Sequence, residues 1–320
     1  MTPQLALAID IGGTKVESAL VTVDGTVLPG SRHREPTGHS LLPDAFVEAL
    51  GSCVERSMSH AAHGDIIGVG IGSAGPVDIA RGRIRPKNLP LLHGLAVRDA
   101  IERRLGLGTR LRLDGTCIAL AEDWVGANRT DASSMSLVVS TGIGGGIVID
   151  GRIVSGRTGN AGHIGQIHLG DPDGTTESDG TLEGIASGPS SVAWARRRGW
   201  TGSTGEDLGR SASAGDAVAR DAIHRSATAV GTAIANVATL LDIDAFAIGG
   251  GFSHVAGWYL DAVLEAARGG AVFDYSRDVA VRASGLGTEG PLIGAAALVH
   301  RPSLLADAPA AESQPVTVTR

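Results

Sequence analysis

Residues 5–15 read LALAIDIGGTK, an apolar run that ends in Asp10 and is followed by two glycines, Gly12 and Gly13. A short apolar run that stops at a glycine turn is typical of a buried strand. The turn exposes successive backbone N–H groups, which can surround phosphate oxygens. Asp10 would repel phosphate, but it can hold Mg²⁺, directly or through water, and the cation then bridges to the phosphates. Taken alone, the segment is as consistent with an ordinary β-turn that carries a solvated aspartate as it is with a phosphate site. It matches neither the P-loop nor the dinucleotide-binding pattern.

The same arrangement recurs about half a chain later. A strand at 136–140 leads into a glycine-rich turn, Thr141–Gly146, and a return strand at 147–149. In both segments an Asp-Gly pair then predicts a hairpin to a third strand, at 26–28 in the first copy and at 152–154 in the second. The repeat indicates a topological duplication. Two such turns could close on one polyphosphate from opposite sides.

Composition limits the class of protein. The chain has 320 residues, enough for two domains, and its 42% hydrophobic and 19% charged residues describe a folded globular protein. A net charge of −7 gives no overall field that would attract nucleic acid. The sequence shows no signal peptide and no run long enough to span a membrane, and its two cysteines are far apart, so we expect a reduced, cytoplasmic protein.

Further elements follow from periodicity and turn residues. A strand at 245–248 runs into a third glycine cluster, Gly249–Gly251, which suits close approach by a flat adenosine. Residues 199–209 read as a loop. Helical periodicity is present in the segments 43–62, 187–198 and 217–241. Residues 290–300 read as a short Ala-rich helix, and a further helix is expected at 116–125.

These motifs, in this order, resemble the ROK family (repressor, open reading frame, kinase) of the actin-like ATPase and sugar-kinase superfamily, over essentially the whole chain to about residue 300. Each motif is weak alone, and their order makes the resemblance specific. The matching segments are 10–15, 70–77, 88–90, 113–114, 121–122, 141–146, 159–166, Glu183, 248–251 and 292–296.

The resemblance implies an α/β protein with an actin-like, ribonuclease H-like duplicated fold, whose two domains flank a nucleotide cleft. Residues 1–115, completed by a C-terminal helix at about 290–302, would form the smaller domain. Residues 116–289 would form the larger one. We expect residues 303–320 to be a disordered tail, and the family resemblance implies a homodimer.

The resemblance also implies an ATP- and Mg²⁺-dependent kinase that transfers the γ-phosphate to a hydroxyl, expected to be O6, of a hexose or N-acetylhexosamine. Asp114 stands where the family has its catalytic base, which accepts the hydroxyl proton as the oxygen attacks. Asp114 could also cap the helix that follows it, and the two roles could coexist. The expected cofactor contacts are Asp10 (Mg²⁺, through water), Gly12, Gly13, Thr14, Lys15, Thr141, Gly142, Gly250 and Gly251. The expected sugar contacts are Gly75, Asn88, Asp114, His163, Gln166 and Glu183.

The chain departs from the family pattern at the sugar end of the site. The usual Asn before the catalytic Asp is Leu113, and a usual sugar-binding Glu is His163, as in N-acetylmannosamine kinases. The usual metal-binding His is Gln166, and the loop at 173–181 has no cysteine. A structural zinc site needs four Cys or His ligands, so we predict no zinc.

Parts of the sequence also bear on three other functions. A sugar-responsive regulator of this family would carry a preceding helix-turn-helix, for which the strand at 5–10 leaves no room. A non-catalytic sugar-binding relative is suggested by Leu113 and the missing zinc loop, but Asp10 and Asp114 argue against it. A Rossmann dehydrogenase lacks its glycine pattern after the first strand. The identity of the sugar, and ATP or polyphosphate as the donor, stay open at this point.

Overall fold

The structure is a computed structural model that describes residues 4–62, 65–170 and 180–305. Two five-stranded sheets dominate it, with the strand orders β3-β2-β1-β4-β7 and β10-β9-β8-β11-β12. The first sheet contains β1 (Leu5–Ile11), β2 (Lys15–Thr22), β3 (His33–Pro36), β4 (Ile66–Ser73) and β7 (Thr109–Leu113). A short ribbon contains β5 (Val77–Asp78) and β6 (Arg83–Ile84). The second sheet contains β8 (Ser134–Val139), β9 (Ile143–Ile149), β10 (Arg152–Ile153), β11 (Ala245–Gly249) and β12 (Ala280–Ala283).

Both sheets are wound in the same way. In each, the first three strands form an antiparallel meander, and two parallel strands then extend the sheet on the other side of the first strand. Parallel neighbours need crossover connections, which helices supply here. The repeated connectivity confirms the predicted duplicated, actin-like α/β fold.

Ten helices lie in the described residues. Two of the ten, at 217–241 and 290–300, begin and end at the predicted residues, and the ranges of all ten follow. They are α1 (Pro43–Met58), α2 (Val97–Leu105), α3 (Asp114–Trp124), α4 (Leu182–Ala186), α5 (Gly188–Arg196), α6 (Gly205–Ser213), α7 (Ala217–Leu241), α8 (Tyr259–Gly270), α9 (Asp274–Arg277) and α10 (Gly290–His300). None of them has the length and hydropathy of a bilayer-spanning segment.

Helices α3 and α10 lie between the two sheets. A buried apolar cluster joins Ala8 of the first sheet and Val148 of the second to side chains of both helices. Where the helices cross, a methyl group at Gly294 would overlap the Cys117 carbonyl group, so only glycine fits. At the start of α3, Gly115 packs in the same way against the backbone of Gly145. This packing fixes Asp114, the first residue of α3, at the junction of the two halves.

The predicted third strand at 26–28 is wrong. Val27 forms only an isolated bridge to Val21. The chain then turns at Pro29-Gly30, and the third strand is β3, at His33–Pro36. Residues 33–36 are polar and show no apolar alternation, so the pattern that predicts strands does not detect them.

Three other boundaries differ from expectation. Gly144–Gly146 lie within β9 and not in a turn, because α3 approaches this strand so closely that a side chain at Gly146 would overlap the Gly115 carbonyl oxygen. The expected loop at 199–209 ends at Gly205, where α6 starts with a capping box formed by Thr204 and Asp207. Residues 302–304 form a 3₁₀ turn and Leu305 is buried, while the rest of the predicted tail, 306–320, lies outside the described residues.

Candidate active site

Two carboxylates meet at the junction of the halves. Asp10 lies near the carboxyl end of β1, and Asp114 follows the carboxyl end of β7. Both strands are parallel to β4, which lies between them, so these ends share one edge of the sheet. Ligand sites in open α/β sheets form at this edge.

The surroundings of the two carboxylates favour their protonated forms. Burial raises the pKa of Asp10 to about 7, and the nearby Asp114 and Glu17 carboxylates add to the effect. Asp114 is partly exposed, but burial still raises its pKa to about 6, opposed by the Gly115 N–H bond (2.7 Å) and by His163. A divalent cation would relieve the repulsion between two such groups, and Mg²⁺ prefers oxygen ligands, so the donor set fits Mg²⁺.

The first glycine turn is held by its own backbone. The Gly12 N–H donates to the Lys15 carbonyl oxygen (2.9 Å), and the Thr37 hydroxyl donates to the Gly12 carbonyl oxygen (3.0 Å). The Gly12 amide is therefore engaged within the turn, and Gly13 and Thr14 are left as the candidate phosphate donors. Lys15 Nζ lies 2.7 Å from Glu17 Oε2 and so stands beside the turn as one half of an ion pair.

Glu17 was not predicted as a site residue. Its side chain is 2% exposed and is paired with Lys15, Arg32 and Arg34. Hydrogen bonds from Lys15 and Arg32 keep its pKa below the ordinary value, although burial acts in the other direction. Glu17 lies opposite Asp10 in the strand pairing, so this cluster places positive charge next to the phosphate turn. No motif includes Glu17, and only the pairing of β1 with β2 shows its position.

The second turn opens on a large cleft in the C-terminal half. The cleft has a volume of about 940 Å³ and is lined by Thr141 and Gly251 together with residues of α5 and α6. The predicted Gly250 is not among the lining residues. It has a φ of 95°, and a side chain there would crowd the Val139 carbonyl oxygen, so it serves the packing of β11 on β8.

Sequence reasoning missed the α5 and α6 wall of this cleft. The missed lining residues include Arg196, Glu206 and Arg210. None of them belongs to a recognised motif. The Thr204-Gly205-Glu206-Asp207 capping pattern was the one available signal, and it would have located the start of α6.

At the sugar end, the structure brings Gly75, Leu113 and His163 together. A methyl group on Gly75 would clash with Leu113 Cδ1 and would lie 2.6 Å from His163 Nε2. His163 Nδ1 lies 2.9 Å from the Asn160 carbonyl oxygen. Because a carbonyl oxygen only accepts, Nδ1 carries a proton, and in the neutral ring Nε2 is the acceptor.

The His163 loop is fastened to the other half of the chain. Asn160 Nδ2 donates to the Val77 carbonyl oxygen (2.7 Å), and the Val77 N–H donates to Asn160 Oδ1 (2.8 Å). Both bonds bridge the N-terminal and C-terminal halves. This double contact holds His163 next to Asp114.

The remaining predicted sugar contacts surround Glu183. Its Oε2 accepts the Ile143 N–H (3.0 Å), and its Oε1 accepts Gln166 Nε2 (3.2 Å) and lies 3.3 Å from Lys87 Nζ. Asn88, next to Lys87, packs against Gly13. The structure thus brings Gln166 and Glu183 together and places Asn88 between them and the phosphate turn.

The predicted absence of zinc concerns the loop at 173–181, of which residues 173–179 lie outside the described residues. Within the described ranges, no three His, Cys, Asp or Glu side chains converge as a metal site. Mg²⁺ at Asp10 would need only one or two protein carboxylates, with water and phosphate oxygens supplying the other ligands.

The chain contains two copies of one strand order, packed around two crossing helices. A pair of carboxylates lies at their junction. These features define the actin-like class of nucleotide-dependent proteins. Residues 6–302 match the model of the ROK family, and the chain belongs to this family.

Similar proteins cover nearly the whole chain. A glucokinase of Streptomyces coelicolor is 31% identical, covering 93% of this chain and 98% of its own. An N-acetylmannosamine kinase of Escherichia coli is 34% identical, covering 79% of this chain and 84% of its own. The structure of a ROK family glucokinase from Streptomyces griseus, in complex with glucose and AMPPNP, superposes with a TM-score of 0.79 at 29% identity, covering 92% of this chain and 98% of that one.

Proposed function

We propose that this chain, an ATP-dependent sugar kinase, transfers the γ-phosphate of ATP to O6 of a hexose or N-acetylhexosamine, with Asp114 as the general base. Membership of the ROK family and similarity to glucokinases and N-acetylmannosamine kinases support the kinase activity. The observation that carries the proposal is the position of Asp114. It lies between the Asp10 phosphate turn and the Gly75–His163 sugar end.

The environment of Asp114 suits a base. With a pKa of about 6, it is mostly ionised near pH 7.5 and still basic enough to accept a proton. The Gly115 N–H bond to Oδ1 fixes the carboxylate and leaves Oδ2 for the sugar hydroxyl. As the hydroxyl oxygen attacks the γ-phosphorus in line, its proton passes to Asp114, and the bond from the γ-phosphorus to the bridging oxygen breaks.

ATP would occupy the cleft beside Thr141 and Gly251, with its phosphates between the two glycine turns. Gly13, Thr14 and Gly142 are the proposed phosphate contacts, and Lys15 adds positive charge from its pair with Glu17. When bound, Mg²⁺ at Asp10 would neutralise phosphate charge and orient the γ-phosphate.

The sugar would lie against Gly75, Asn88, His163, Gln166 and Glu183. His163 Nε2 and the Glu183 carboxylate are acceptors there, and Gln166 is both donor and acceptor. Leu113, which packs beside Gly75, offers no polar atom, so the sugar forms fewer hydrogen bonds on that side.

We also propose the domain division predicted from the sequence, 1–115 with α10 and 116–289. Separate apolar cores on the two sheets support it, since one draws on residues 5–113 and the other on residues 135–279. Closure of these domains around the sugar would exclude water, which otherwise competes for the phosphoryl group.

The test is a panel of hexoses and N-acetylhexosamines, each paired with its 6-deoxy analogue. ADP release is followed, and the phosphorylated carbon is assigned by ³¹P and ¹³C NMR. We expect turnover on at least one sugar and none on its 6-deoxy analogue. Turnover on the 6-deoxy analogue would refute O6 as the acceptor. Binding of a sugar in calorimetry with no turnover on any member of the panel would instead support the non-catalytic alternative.

A further inference from the structure

Lys87 and Glu183 form an ion pair between the N-terminal and C-terminal halves, at the proposed sugar end of the site. The two residues are 96 positions apart, and Lys87 Nζ lies 3.3 Å from Glu183 Oε1. Lys87 belongs to the N-terminal half, where its backbone N–H donates to the Gly75 carbonyl oxygen (3.1 Å). Glu183 belongs to the first turn of α4 in the C-terminal half. The pair therefore joins the N-terminal half to the C-terminal half.

The other contacts of Glu183 come from its own half. The Ile143 N–H holds Oε2, and Gln166 Nε2 holds Oε1. Both bonds lie within the C-terminal half, so they do not depend on the distance between the halves. The bond to Lys87 is different, because it depends on the distance between the halves.

The residue next to Lys87 and the side chain of Glu183 each lie against one of the two glycine turns. Next to Lys87, Asn88 packs on Gly13, where a methyl group would lie 3.1 Å from the Asn88 Cβ. On the other side, a methyl group on Gly142 would lie 2.7 Å from Glu183 Oε2. The two proposed phosphate turns are thus connected through the proposed sugar end, by contacts that run in the order Gly13, Asn88, Lys87, Glu183 and Gly142.

The pair is suited to open and close. Lys87 is 52% exposed and Glu183 21% exposed, and ion pairs with this much solvent access contribute little net stability. Lysine is also a flexible point charge on a long stem, whereas all the other cationic side chains of the chain except Lys15 are arginines. A weak contact of this kind biases the distance between the halves without locking it.

We propose that Lys87 is a positioning residue for the kinase reaction: by pairing with Glu183 it draws the Lys87–Asn88 segment across the bound sugar and brings the two glycine turns onto one nucleotide. The proposal rests on the proposed sugar-kinase function. It assigns to Lys87 no contact with the reacting atoms, so its effect should appear in sugar binding and in the exclusion of water.

The test compares wild type with Lys87→Met, which keeps the length of the stem and removes the charge, and with Lys87→Arg, which restores the charge. Arg81→Met is the matched control, because it removes an exposed ion pair with Asp78 that stays within the N-terminal half. For each protein, kcat, the sugar KM and the ATP KM are measured at 50 and 500 mM NaCl. The ratio of ATP hydrolysed to sugar phosphorylated is measured in parallel.

For Lys87→Met we expect a sugar KM about two- to fivefold higher at low salt, as fits a partly exposed pair, and a kcat within twofold of wild type. Hydrolysis of ATP without sugar phosphorylation should rise. High salt should raise the wild-type KM towards that of the variant by screening the pair. Lys87→Arg should recover most of the low-salt KM, and Arg81→Met should behave as wild type.

An unchanged sugar KM and an unchanged hydrolysis ratio in Lys87→Met would overturn the proposal. So would a fall in kcat with an unchanged KM, because that would place Lys87 in the chemical step. If wild type itself phosphorylates no sugar, the proposed function fails and this inference fails with it. If wild type phosphorylates a sugar and Lys87→Met has the same sugar KM and hydrolysis ratio, this inference is refuted and the proposed function stands.

Discussion

Replacing Asp10 by asparagine should make the protein without ligands more stable at pH 8 while removing its activity. Asp10 is 9% exposed, and its neighbours include two other carboxylates, Asp114 and Glu17. Asparagine has nearly the same shape and no charge. The substitution therefore removes the free-energy cost of ionising a buried carboxylate and leaves the packing in place.

The size of the effect follows from the pKa of Asp10, which rises from an ordinary 3.8 to about 7 on folding. Because the folded pKa lies above the unfolded one, the associated stability is fully present below about pH 4 and is lost as the pH rises through about 7. At about 1.4 kcal/mol per pKa unit, the free energy of unfolding of wild type is lower by about 4 kcal/mol at pH 8 than below pH 4. About half of this loss falls between pH 5.5 and pH 8.

Urea unfolding of wild type and Asp10→Asn at pH 5.5 and pH 8 measures this difference, with Asp221→Asn on the exposed face of α7 as the control. We expect the advantage of Asp10→Asn to grow by about 2 kcal/mol between the two pH values. Adding Mg²⁺ and ATP should stabilise wild type more than the variant. An advantage that does not change with pH, or a variant less stable than wild type at pH 8, would refute this electrostatic description of the site.

Three further predictions concern the base, the helix crossing and the metal. With Mg²⁺ and ATP saturating, so that bound Mg²⁺ keeps Asp10 ionised, kcat/KM for the sugar should fall about tenfold per pH unit below about pH 6 as Asp114 becomes protonated. A flat initial-rate profile from pH 5 to 8 would contradict this. Gly294→Ala places a methyl group against the Cys117 carbonyl group and should lower the free energy of unfolding in urea by more than about 2 kcal/mol. The control Gly269→Ala meets open space and should not lower it. Equal effects of the two substitutions would refute the packing argument. Elemental analysis of the purified protein should find no stoichiometric zinc, and one zinc per chain would overturn that prediction.

The sequence predicts the duplicated topology because its signals are local. Both first strands are apolar runs followed by glycine turns, α7 carries helical periodicity, and α10 is a short Ala-rich apolar segment. The errors occur where tertiary contact decides the structure. Gly146 leaves no room for a side chain because α3 packs against it, and a local pattern cannot distinguish that role from a turn.

The site divides in the same way. Asp10, Asp114 and the two glycine turns are recognisable because each ends or begins an element in a fixed order. Glu17, Lys87 and the wall of α5 and α6 depend on pairings between distant segments. The contact of Gly250 with the Val139 carbonyl group is likewise absent from the sequence pattern, because a glycine that faces a ligand and one that faces a neighbouring strand look alike in sequence.

The claim that Asp114 is the general base is tested most directly by Asp114→Asn, assayed on the preferred sugar for both turnover and sugar binding. Asparagine keeps the size of the side chain and cannot accept the proton. We predict a kcat lower by about 10²- to 10⁴-fold, with the sugar dissociation constant from calorimetry within a few fold of wild type. A variant that binds the sugar and retains full turnover would contradict the assignment.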